Sequence, residues 1–165
     1  MLLLCAVIFQ GAARAAVPQQ KDYLSTIEAD KIRDAETPNE RITLFLSFAD
    51  DRLKKLQYEM EHPSQFHHDD MVNSLLNAYV GCVDDAADLI QQGLEKQQNI
   101  RKAINLMADR TKDYILVLQK IPSASPGADA YKDKLDDAIE GTQDASREAE
   151  AAKKNVAPPP VRRKK

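Results

Sequence analysis

Apolar residues recur every three or four positions along four long stretches of the chain, the spacing that lays one buried face on an α-helix. The first stripe is Ile42, Phe45/Leu46, Ala49, Leu53, Leu56 and Met60. The second is Val72, Leu75/Leu76, Tyr79, Val83, Ala86/Ala87, Ile90 and Leu94. The third is Ile100, Ile104, Met107/Ala108, Thr111, Ile115 and Leu118, and the fourth is Tyr131, Leu135, Ala138, Thr142, Ala145, Ala149 and Ala152. These predict helices over 38–62, 70–97, 99–121 and 129–154. A thinner stripe of Tyr23, Leu24, Ile27 and Ile32 predicts a short leading helix from Asp22 to Asp34.

Local signals mark the ends. In Thr37-Pro38-Asn39-Glu40, Thr37 can cap, Pro38 suits the first helical position and Glu40 can reach back to the capping amide. Pro63 disfavours helical geometry at His62, and Pro63 to His68 reads as a connector with Asp69 or Asp70 as the next cap. Between the second and third stripes the apolar phase is unbroken, so one helix over 70–121 and two helices both fit. The polar run Gln97-Gln98-Asn99, with Asn99 as a cap, and the matched lengths favour two. The predicted fold is all-α: an antiparallel bundle of about four long helices in one domain, 22–154. The last stripe is mostly alanine, which buries little area at about 25 cal/mol per Å2, so its helix is expected to fray beyond Ala145.

Composition adds compartment and excludes several function classes. Leu2 to Phe9 is a compact apolar run, followed by Ala13 and Ala15 in the small-x-small pattern of signal cleavage. Residues 1–15 are therefore expected to be a signal peptide, and the mature chain periplasmic or secreted. Cleavage removes Cys5 and leaves Cys82 as the one thiol, read as a small buried hydrophobe. It also removes Arg14, so a formal charge of -3 becomes -4. Lys153, Lys154, Arg162, Arg163, Lys164 and Lys165 lie together in the last thirteen residues with no acid among them. The rest of the mature chain is strongly acidic, which excludes nucleic acid as a partner. Residues 155–165, with three successive prolines, read as a disordered basic tail able to make weak contact with an anionic surface.

Few residues carry chemistry. Glu59-x-x-His62 places a carboxylate and an imidazole on one helix face, and His67 and His68 follow in the connector. A di-iron bundle needs a second such pair, and none exists. A looser copper, nickel or zinc site from Glu59, His62, His67 and His68 is the metal candidate, against a solvated turn. Asp84, Asp85 and Asp88, and the acids from Asp133 to Asp144, read as solvated helix faces, since paired-carboxylate hydrolysis requires a cleft. There is no nucleophile elbow and no glycine-rich phosphate loop.

Asn39-Glu40-Arg41-Ile42, Phe48-Ala49-Asp50-Asp51-Arg52-Leu53 and Leu76-Asn77-Ala78-Tyr79-Val80-Gly81-Cys82-Val83-Asp84-Asp85-Ala86 resemble an uncharacterised class of exported bacterial all-helical proteins of unknown function. The similarity spans about residues 22–150. It implies a bacterial envelope protein and supplies no catalytic residues. The expected function is a non-enzymatic helical bundle acting through protein or envelope contacts, with no cofactor. The alternative is a periplasmic metal-binding or metal-responsive bundle using the histidine turn.

Overall fold

A computed structural model describes residues 22–123 and 127–156. They form five helices: α1 (Thr26–Asp34), α2 (Pro38–Glu61), α3 (His68–Glu95), α4 (Arg101–Leu118) and α5 (Lys132–Asn155). A 3-10 turn, Ala128–Ala130, precedes α5. Among the described residues there is no strand, and no helix is long and apolar enough to cross a membrane. The signal peptide expected at 1–15 lies outside the described residues.

The α2 start is the one the sequence predicts. Thr37 Oγ1 accepts from Glu40 N at 3.2 Å while Glu40 accepts from Thr37 N at 3.2 Å, with Pro38 at the first position. A second capping box, Ser25 with Glu28, starts α1 at Thr26 rather than Asp22. The other expected caps do not form. Asp69 and Asp70 sit inside the first turn of α3, where their charge favours the helix N-terminus, and His67 occupies the capping position without a side-chain bond. At α4 Ile100, not Asn99, precedes the helix. The missing cap comes from another helix: Asn39 Oδ1 accepts from Ala103 N at 3.0 Å, and Asn39 Nδ2 donates to Asn99 O.

Between α3 and α4 the chain breaks, over Lys96–Ile100. Gln97 takes a left-handed conformation (φ 51). Gln98 N donates to Gly93 O at 2.8 Å and Gln97 N to Leu94 O at 3.0 Å, the two bonds of a Schellman ending. Ile100 then folds back onto Gly93, where an added Cβ would stand 2.6 Å from Ile100 Cδ1.

The core joins α2, α3, α4 and α5. Ile42, Leu46 and Leu56 of α2, Val72, Leu76 and Tyr79 of α3, Ile104 and Met107 of α4 and Leu135 of α5 are buried. On α4 the stripe rotates by one position: Tyr114 is buried in place of Ile115, with its hydroxyl donating to Leu46 O at 2.9 Å. Tyr79 and Tyr114 meet edge to face at 5.7 Å, and the Tyr79 hydroxyl lies 2.7 Å from Thr142 Oγ1. The alanine stripe of α5 is buried throughout. Ala149 and Ala152 are 1% and 2% exposed, so this end is core rather than a loose terminus. Asn155 closes α5 and Val156 packs against the core, with Val156 O accepting from Arg101 at 3.2 Å. The expected tail therefore does not begin at 155; residues 157–165 lie outside the described residues.

α1 is fastened from above. Arg52 gives both terminal nitrogens to Glu28, each at 2.7 Å, and reaches Asp51 and Tyr23 O besides. Tyr23 packs against Gly81, where an added Cβ would stand 2.7 Å from its ring.

Candidate functional site

The predicted metal residues all fall at the corner where α2 gives way to α3, but they separate there. Glu59, at the end of α2, is 7% exposed. Its carboxylate accepts from Ser64 N at 2.8 Å, from Ser64 Oγ at 2.9 Å and from His68 Nδ1 at 2.9 Å. These bonds, the Ser64 amide first and His68 next, hold the Glu59 carboxyl below the ordinary carboxylate range. His68 also stands edge-on to Tyr131, 6.4 Å away. His62 turns the other way and stacks on Tyr58, with ring centroids 4.5 Å apart. His67 is exposed, its Nδ1 3.9 Å from Asp70.

Only Glu59 and His68 therefore meet. Among the described residues no group of three or more His, Cys, Asp or Glu side chains gathers as a metal ion would need. The Glu59 carboxylate, with its oxygens already accepting three hydrogen bonds, ties the 62–67 loop to α2 and to the first turn of α3. Ser64 completes that tie. In the sequence it is one polar residue in a connector, and nothing in its spacing from Glu59 marks it.

The tie fixes a loop that presents apolar surface. Five large apolar side chains are exposed among the described residues: Ile27, Tyr58, Phe66, Met71 and Leu116. Tyr58, Phe66 and Met71 belong to this one corner, and Phe66 is 84% exposed. Tyr58 and Met71, with Lys54, Lys55, Glu59 and Leu75, line an open groove of about 330 Å3 between α2 and α3. A second open groove, about 450 Å3, runs along α5 beside Ile115 and is rimmed by Arg147, Glu150 and Lys154.

The carboxylate clusters stay outside both grooves. Burial and the neighbouring Asp88 push the Asp84 carboxyl up, but neither residue lines either of these two grooves. On α5, Asp136 pairs with Lys132 and Asp144 with Arg147 at the surface. Cys82 is fully buried on α3, as expected of a small core hydrophobe.

Compared with protein-family models, with curated proteins and with solved structures, the chain matches none of them.

Proposed function

We propose that this chain is an exported, non-enzymatic antiparallel helical bundle that works by holding another protein against its α2–α3 corner. The bundle reading is supported by the junctions. The end of α2 meets the start of α3 through Glu59 and His68, and Arg101 at the start of α4 meets Val156 beyond the end of α5. Export rests on the apolar run and alanine-rich cleavage pattern of residues 1–15.

The observation that carries the functional reading is the exposed trio Tyr58, Phe66 and Met71. Fully burying one such side chain is worth roughly 1.5–3 kcal/mol. Phe66 instead stands in solvent, on a loop that Glu59 fastens through Ser64. Apolar side chains gathered at one exposed corner mark a contact surface. The charges around it are mixed: Lys54 and Lys55 against Glu61, Asp69 and Asp70. That pattern suits a protein surface better than an anionic lipid or polymer.

The test is the native size of the protein in extracts of the cells that make it. The wild-type chain is expected to migrate above its monomer mass. The double variant Phe66→Ser, Met71→Ser, with an unchanged helical spectrum, is expected to migrate as a monomer. Equal migration of the two would overturn the reading.

A further inference from the structure

The first helix is held to the bundle differently from the rest. α2 to α5 each bury an apolar stripe, but none of the nine residues of α1 is buried. Of its large apolar residues, Ile27 is exposed and Ile32 half-buried. Its two ends are fastened separately. At the N-terminal end Arg52 grips Glu28 with both terminal nitrogens and also donates to Tyr23 O. Leu24 and the Tyr23 ring, just ahead of the helix, add the apolar contact, the ring against Gly81 of α3. At the C-terminal end Arg41 donates to Ala35 O at 3.2 Å, and Glu40 accepts from Glu36 N at 3.0 Å. α2 is capped by its own Thr37, so its start does not depend on α1.

This arrangement is hinged at one end and latched at the other. We propose that residues 23–34 form a strap that opens as one unit about Ala35 and Glu36 while α2 to α5 stay folded, with the Arg52–Glu28 pair as its latch, and that opening uncovers the α2–α3 seam at Gly81 and Cys82. It does not depend on what the α2–α3 corner binds.

Three features support it. A segment with little buried apolar surface opens at a lower free energy than the core it lies on. Arg52 keeps a partner when the strap is away, since Asp51 accepts from it at 2.9 Å, so opening strands no unpaired charge. The seam beneath is closed with the strap in place: Cys82 is fully buried and, after Glu28 and Asp51, helps to hold the Arg52 guanidinium charged.

Amide hydrogen exchange tests it. A nine-residue helix is not stable alone in water, so an opened strap loses its helical hydrogen bonds. The amides from Ala29 to Ala35 are expected to share one exchange rate that stays flat in low urea, while the core amides of the bundle accelerate. Arg52→Gln is expected to raise that rate about tenfold. Gly81→Ala leaves the ion pair intact and drives a methyl into the Tyr23 ring, so it is expected to raise the rate as well. Leu135→Ala, which weakens the bundle from α5, is expected to speed the core amides and leave the strap amides unchanged. Alkylation of Cys82 by iodoacetamide, in protein carrying Cys5→Ser, is expected to accelerate in step with the strap amides in the first two variants. Strap amides that follow the core in urea or in Leu135→Ala, strap amides that ignore Arg52→Gln or Gly81→Ala, or a Cys82 rate indifferent to both would each overturn the proposal.

Discussion

Glu28 gives up its proton far more readily than an ordinary carboxyl, because Arg52 grips both of its oxygens; the pKa falls from 4.5 to about 2. A carboxyl whose folded pKa is depressed stabilises the fold above the ordinary range, and that contribution is lost as pH falls from about 4.5 towards 2. The pair is partly solvated, so the contribution is discounted to about 1–2 kcal/mol. Arg52→Gln is expected to lower stability by that amount near neutral pH and to flatten its decline across the acid window. Thermal melts of both proteins at stepped pH check this; parallel curves would contradict it. Residue-level detail of this kind is hard to read from a sequence. Arg52 sits beside an apolar stripe as any solvated cation might, and its partner comes 24 residues earlier, on a helix with no fully buried residue of its own. Asn39 was likewise legible only as part of a helix start. Its work of capping α4 is done 64 positions away.

At the scale of elements, the spacing of apolar residues was enough to place four long helices, because one buried stripe per helix is what a bundle core demands. It left the α3–α4 break open for a physical reason: the apolar phase continues across a junction made by backbone geometry. A Schellman ending is read from a glycine after the helix, and here Gln97 takes the left-handed position instead. Gln97→Gly is therefore expected to stabilise the protein by about 1 kcal/mol, by removing the cost of a side chain in that region. Denaturant unfolding measures it, and a loss of stability would mean that the junction is not built this way. Gly93 should tolerate no such freedom, since Gly93→Ala drives a methyl into the buried Ile100. Composition alone underrates the last helix. Alanine buries little area by itself, but it lets α5 lie close enough to α4 that Ala149 is sealed. Ala149→Leu is expected to cost about 1–3 kcal/mol by overpacking. Leu56→Ala, which empties a fully buried site, is expected to cost about 2–5 kcal/mol. Urea midpoints of the two variants check both, and a neutral Ala149→Leu would return that end of α5 to the surface.

For the whole molecule, the same 62–68 turn is a metal candidate in the sequence and a protein contact in the proposed reading. The histidines drew attention to the 62–68 turn as a metal candidate, yet three-dimensional placement sends His62 to Tyr58, His67 to solvent and His68 to Glu59. Phe66 and Tyr58 were visible as letters, but exposure of an apolar side chain depends on how a loop is held, and periodicity says nothing about a loop. What the turn presents is a fastened apolar corner beside mixed charge. Site-specific photo-cross-linking in the cells that make the protein tests that role most directly, with a photoreactive phenylalanine at position 66 and, as control, at the exposed position 27 on α1. Discrete protein adducts, a second copy of the chain included, are predicted from position 66 and not from position 27. No adduct at 66, adducts to lipid alone, or the same adducts from both positions would contradict a protein-binding corner.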